Sequence, residues 1–102
     1  MNTRQALTAI IYDKRGRVLS VGQNSYVKTH PIMAKYAERV GEPYKMYIHA
    51  EIAAILKCRN LSKAHKIFVS RYGKNGSPVN AKPCPICMMA IKEAGIEVIE
   101  HT

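Results

Sequence analysis

Two short segments, far apart in the chain, restrict what this sequence can fold into more than anything else in it. Tyr47-Ile48-His49-Ala50-Glu51-Ile52-Ala53-Ala54-Ile55-Leu56 carries an imidazole with a carboxylate two residues on. Lys82-Pro83-Cys84-Pro85-Ile86-Cys87 carries a C-x-x-C thiol pair behind a proline. Two thiolates and an imidazole are soft to borderline ligands, a set that suits zinc. Three protein ligands leave the fourth tetrahedral position open, which separates a catalytic zinc from a structural one. On an uninterrupted helix His49 and Glu51 would project about 200° apart. Both reach one metal only if the helix starts at about His49 and the metal lies off its end, faced by the N–H groups of the first turn. Cys84 and Cys87, at i and i+3, are neighbours on a helix surface, and Pro85 suits a first turn. A helix N-terminus also favours the thiolate form. The fold must therefore bring two helix starts to one point.

This H-x-E…P-C-x-x-C order resembles the cytidine deaminase-like superfamily, whose members act on cytidine, deoxycytidylate, guanine, transfer-RNA adenosine or polynucleotide cytosine. The resemblance runs from about Ala6 to His101, although outside the two motif segments it is one of pattern only. It implies Zn2+ held by His49, Cys84 and Cys87. It implies that a water acidified by the metal attacks the carbon bearing the amine, with Glu51 protonating the ring nitrogen and then the leaving amine, so that ammonia is released. Substrate contacts carried over are Asn24, where many members place a sugar-binding asparagine, the backbone N–H of Ala50 or Cys84, and Pro83. His30, Tyr47 and Arg71 are further candidates. The alternative for Asn24 is an ordinary turn residue. No Asn follows H-A-E-x, where deoxycytidylate deaminases usually carry one, and their additional upstream zinc-binding pattern is missing. Cytosine to uracil, in a nucleoside or nucleotide or in single-stranded nucleic acid, is the first reading, and adenine or guanine deamination the in-class alternative. A nucleic-acid-binding module with a structural zinc is the alternative from another class. It would need a fourth protein ligand, and the sequence offers none at finger spacing.

The remaining segments read as one α/β domain over 1–102, with a mixed sheet of about four strands in the order β-β-α-β-α-β and both metal helices on one face. Ala6–Tyr12 is nearly all apolar or β-branched, as a central strand covered on both faces would be. Asp13-Lys14-Arg15-Gly16 reads as a tight turn and Arg17–Gly22 as the antiparallel return strand. Five residues precede the first strand, so the helix that relatives often place there is expected to be absent or a stub. Pro31–Val40 has helical spacing and is expected to be a packing helix or a lid. His49–Lys57 is the first metal helix, with Ile48, Ile52, Ile55 and Leu56 as its apolar stripe, and Asn60-Leu61-Ser62 closes the unit. Lys66–Tyr72 is a strand and Gly73–Lys82 a loop. A second helix opens at Cys84 with Cys87, Ala90, Ile91 and Ala94 inward and ends at Gly95; Ile96–Glu100 is the last strand.

Sixteen Lys and Arg against seven Asp and Glu leave a net charge of +9, which favours anionic partners such as nucleotides or a nucleic-acid backbone, with plain solubility as the alternative. No apolar run approaches the ~20 residues of a membrane span, the N-terminus is polar, and three cysteines suit a reducing compartment, so a cytoplasmic protein without membrane partners is expected. A chain this short buries a modest share of its surface, so a metal or a second subunit would help to stabilise it, and relatives often form homo-oligomers. Cys58 is read as a packed thiol, and His65 and His101 as surface or loop residues. Tyr44, Tyr47 and Tyr72 can stack on a base or pack at the rim. Arg71, Lys74 and Lys82 bracket the loop before Cys84 and are placed for phosphate or for solvent.

Overall fold

The computed structural model describes residues 7–24, 49–73 and 75–102. The Pro31–Val40 helix, His30, Tyr44, Tyr47, Ile48, Lys74 and any helix ahead of the first strand lie outside the described residues. Among the described residues four strands form one sheet of order β2-β1-β3-β4: β1 Leu7–Tyr12, β2 Val18–Gln23, β3 Lys66–Arg71 and β4 Val98–His101. β1 pairs antiparallel with both β2 and β3, and β3 pairs parallel with β4. Among the described residues two helices link the strands: α1 Ala50–Lys57 precedes β3, and α2 Pro85–Glu93 makes the β3–β4 crossover.

The β1–β2 turn is built around one carboxylate. Asp13 Oδ1 accepts the backbone N–H groups of Arg15 and Arg17, each at 2.9 Å, and Arg17 Nε donates to Oδ2 at 2.9 Å. These donors, the Arg17 N–H foremost, hold the Asp13 carboxyl below its ordinary range. Gly16 has φ 80°, which an L side chain rarely adopts. A bulge at Ile11/Tyr12 sets Tyr12 opposite Val18, so β2 begins one residue later than expected and runs through Gln23.

Alternation decides which face is core. Ala9, Ile11, Ile67 and Val69 are all fully buried, with Ala9 opposite Val69 and Ile11 opposite Ile67. Ala50 and Ala54 of α1, Ile91 of α2 and Ile96 close over them, so both helices lie on this face. Thr8, Ile10 and Tyr12 point the other way and are only half-buried, so the expectation of a strand covered on both faces holds for one face.

The α1 stripe also departs from expectation. Leu56 is 42% exposed and Ile55 half-buried, whereas Ala50, Ala53 and Ala54 are buried with Ile52. The cause is close approach. A Cβ on Gly22 would meet Ala54 N, Ala50 O at 2.5 Å and Ala53 C at 2.9 Å, so the α1 backbone rests directly on β2. Ser20 Oγ donates to Ala54 O at 2.7 Å beside it. Only small residues fit where a helix backbone touches a strand, and the branched residues are displaced to the flanks.

Other boundaries move for local hydrogen-bonding reasons. β3 ends at Arg71, with Tyr72 only bridging Pro78. A 3-10 turn at Leu61–Lys63 precedes β3. β4 starts at Val98 and not Ile96, because the N–H groups of Glu97 and Val98 both turn to His65 O and Ile96 is drawn into the core. Gly95, at φ 80°, ends the second helical segment as its position suggests.

Candidate metal centre

The centre follows from how each helix starts. His49 is the N-cap of α1, with extended backbone at φ −88° and ψ 156°, while its carbonyl accepts the Ala53 N–H at 3.0 Å. Its imidazole is thus off the helix end, and Glu51 sits in the first turn. Cys84 is the N-cap of α2, at φ −71° and ψ 169°, and its carbonyl accepts the Met88 N–H at 2.8 Å. A residue before proline is pushed to extended backbone, so Pro85 both starts α2 and forces Cys84 off it. Cys87 follows one turn later and is fully buried.

His49 Nδ1 lies 3.2 Å from Cys87 Sγ and 3.5 Å from Cys84 Sγ, and the three ligand atoms fall within 4.8 Å of one another. No other His/Cys/Asp/Glu group of metal-binding geometry occurs among the described residues. Tetrahedral bonds of ~2.0 Å to nitrogen and ~2.3 Å to sulfur would set N and S about 3.6 Å apart; Cys84 stands near that distance from His49 and Cys87 somewhat closer.

The electrostatics suit the same ion. The Cys84 thiol is pulled down to about 4, chiefly by the hydrogen bond from Cys87 and further by His49. Cys87 is pushed far up, first by that same bond to Cys84 and then by burial and the neighbouring Glu51. The pair thus shares one proton, which a metal would displace. Glu51 is 4% exposed, and burial foremost raises its carboxyl above the ordinary range, against the opposing pull of its own backbone N–H and of His49. A carboxyl poised in this way can both take and return a proton.

The other predicted residues spread around this point. Ala50 is fully buried in the first turn of α1, where N–H groups lack an intrahelical acceptor. Pro83 is buried immediately before Cys84. Asn24 latches the sheet: its Oδ1 accepts the Leu7 N–H at 2.9 Å and its own N–H donates to Leu7 O at 3.3 Å. That use leaves the side-chain NH2 as its only donor group for a substrate. Arg71 ends β3 opposite Leu7, and its buried Nε has no acceptor among the described residues. Tyr72 is 51% exposed on the loop that follows. Cys58 is a free, half-buried thiol packed against the main core. His101 is exposed, with Nδ1 2.8 Å from its neighbour's carbonyl. Two supporting residues carry no signal in the motifs. Gly22 seats α1, and Thr102 Oγ1 donates to Val79 O at 2.7 Å and accepts the Arg71 N–H at 3.1 Å, tying the Cys84 loop to β3.

The chain matches the family model of the cytidine and deoxycytidylate deaminase zinc-binding region over residues 2–100. It belongs to that family. The fold agrees: a mutant cytidine deaminase from Mycobacterium tuberculosis superposes with a TM-score of 0.55 at 20% identity, covering 97% of this chain and 69% of that one. No curated protein sequence matches the chain. For a member of the deaminase zinc-binding family, the His/Cys/Cys donor set fits Zn2+. No helix among the described residues is long and apolar enough to cross a membrane.

Proposed function

We propose that this deaminase-family domain, folding as one unit over 1–102, hydrolytically removes the amino group of a nucleobase. Cytosine, giving uracil, is the first substrate, in a nucleotide or exposed in a single strand, and adenine or guanine is the alternative within the class. The observation that carries this reading is a carboxylate, Glu51, buried in the first turn of α1, whose N-cap His49 meets two thiols on α2. A zinc used only as a staple has no need of such an acid, and the geometry brings it only three donors among the described residues.

In this reading His49, Cys84 and Cys87 hold the ion. When bound, zinc acidifies a water to a pKa of roughly 7 and so supplies a nucleophile at neutral pH. Glu51 would take the first proton of that water and deliver it to the ring nitrogen as the oxygen bonds to the amine-bearing carbon. It would then take the second proton, from the hydroxyl now on that carbon, and pass it to the exocyclic amine, so that the C–N bond breaks, ammonia leaves and the carbonyl remains. The first-turn N–H of Ala50, or that of Cys84, donates to the base. Pro83 lines the pocket, the Asn24 NH2 faces the sugar, and Arg71 meets an anionic group. The free thiols Cys58, Cys84 and Cys87 suit a reducing compartment such as the cytoplasm.

The test is ammonia release by the zinc-loaded protein with cytidine, deoxycytidylate, single-stranded DNA and adenosine as substrates. Glu51→Gln should lower the rate by about 10²–10⁴-fold while zinc stoichiometry stays at one. Turnover of none of these substrates by zinc-loaded protein would end the deaminase reading.

A further inference from the structure

A second concavity lies at the opposite end of the sheet from the metal centre. The placement follows from the helix seat: Ala54 lies over Ser20, and Ala50 and Ala53 over Gly22, so α1 begins toward Asn24 and runs toward the β1–β2 turn. His49 is therefore at the Asn24 end, and Cys84 follows the C-terminal end of β3. The concavity, of about 510 Å³, opens instead where β1 ends and β3 begins, between the Asp13–Arg17 turn and the segment Ser62–His65. Its volume is in the range of small-molecule sites.

Its lining carries four cations, Lys14, Arg15, Arg17 and Lys63, against two carboxylates, Asp13 and Glu97. Lys14, Arg15 and Lys63 line it, are exposed, and have no ion-pair partner among the described residues. Asp13 is 8% exposed and already saturated by Arg17 and two backbone donors. Glu97 is largely solvated, 3.6 Å from His65 Nδ1, which is buried in the wall without a hydrogen-bond partner. The three cations also stand on fixed supports. Asp13 draws the turn's amides inward under Lys14 and Arg15, and the Lys63 N–H is bonded to Asn60 O at 2.9 Å. The turns that carry these cations are fixed before an anion arrives, so only the exposed side chains are left to order on binding.

We propose that this groove is an anion site separate from the metal centre that takes a run of phosphates, as in the backbone of single-stranded nucleic acid or the polyphosphate of a nucleotide. Three separate cations match a chain of charges better than a lone phosphate, and the inference does not depend on the deaminase reading.

The experiment is binding of labelled oligothymidylate, whose base offers no exocyclic amine to the metal site, followed across a salt series. The wild-type affinity should fall linearly on log–log axes. The triple variant Lys14→Ala/Arg15→Ala/Lys63→Ala should bind at least tenfold more weakly, and its slope should be shallower by about 2, at ~0.7 per lost single-strand phosphate contact. A control triple, Lys57→Ala/Arg59→Ala/Lys92→Ala, removes equally exposed charge outside the groove and should change the slope by less than half as much. Equal effects of the two triples, or no wild-type binding of either oligothymidylate or tripolyphosphate, would overturn the proposal. Tripolyphosphate separates the sources: efficient competition assigns the groove to nucleotide polyphosphates, and groove-dependent oligonucleotide binding that it does not displace assigns it to the polymer. Amide NMR shifts in wild-type protein give a readout free of folding effects. Tripolyphosphate or oligothymidylate should move Gly16, Ser62 and Gly95, and shifts confined to other residues would equally refute the site.

Discussion

Gly22→Ala is the substitution that best isolates how the sheet sets the metal centre. The added Cβ would stand 2.5 Å from Ala50 O and 2.9 Å from Ala53 C, and closer still to Ala54 N. All three are backbone atoms of α1, so no side chain can swing aside. Ordinary carbon contacts are about 3.5 Å, so α1 must lift from β2 by roughly 1 Å. Lifting it strains the 2.7 Å bond from Ser20 Oγ to Ala54 O and opens the core beneath Ala50 and Ala54. Overpacking of this kind costs about 1–3 kcal/mol, and the top of that range applies where backbone must move. For a domain of this size about 2–3 kcal/mol lowers Tm by roughly 10–20 °C. The same lift carries His49 and Glu51 with it, and a displacement of about 1 Å at a reacting centre can remove about 10²-fold in rate. The measurements are Tm by circular dichroism, zinc stoichiometry, and deamination rate on whichever substrate is turned over. Gly16→Ala is the comparison: it sits at φ 80° with nothing within 4 Å, so it adds local strain of about 1 kcal/mol but leaves α1 and the rate alone. If Gly22→Ala matched Gly16→Ala in both Tm and rate, the seat of α1 on Gly22 would not be what positions the site.

Three further outcomes follow from the same contacts. Ser20→Ala leaves the buried Ala54 carbonyl without its donor and should destabilise by about 1–2 kcal/mol with zinc binding intact, measured by urea unfolding. Asp13 has a folded pKa below its unfolded value of 3.8, so its contribution is fully present above about pH 4 and is lost as pH falls through the folded value. Asp13→Asn should therefore lower stability at neutral pH and flatten the acid limb of a midpoint-against-pH curve; an unchanged limb would show that the turn's hydrogen bonds do not depend on that charge. Zinc at about 100 times its dissociation constant should add about 2.7 kcal/mol, a Tm rise of roughly 10–20 °C, and Cys87→Ala should abolish that rise while the apo protein still unfolds cooperatively.

What was legible in the sequence, and what was not, divides along one physical line. Local chemistry could be read. Proline after Cys84 dictates an extended cap, the two-residue spacing of His49 and Glu51 requires a helix start, and glycine at 16 and 95 marks positive φ. Each of these is settled by a residue and its immediate neighbours. Close approach between distant segments could not be read so directly. Ile55 and Leu56 look like core by periodicity and are half-buried and exposed, because the space they would need is taken by the backbone of β2. The start of β4 likewise depends on His65 O, which captures two N–H groups from a segment that is locally as strand-like as its neighbours.

The same division explains why the metal ligands can be named from sequence and the substrate cannot. A tetrahedral ion makes a short-range demand: three donors, about 3.6 Å apart, which the starts of two helices can offer. Recognition of a particular base and sugar is a demand on the walls around that ion. In the proposed reading those walls rest on long-range supports: Asn24 tied to Leu7, Arg71 and Val79 tied to Thr102, and α1 seated on Gly22. The Cys84 loop is held through Thr102, so changing Thr102 to Val should alter substrate preference by moving the wall, without touching zinc content. If Thr102→Val instead lowered zinc occupancy and left the ratio of rates on cytidine and deoxycytidylate unchanged, the loop would be serving the metal and not the substrate.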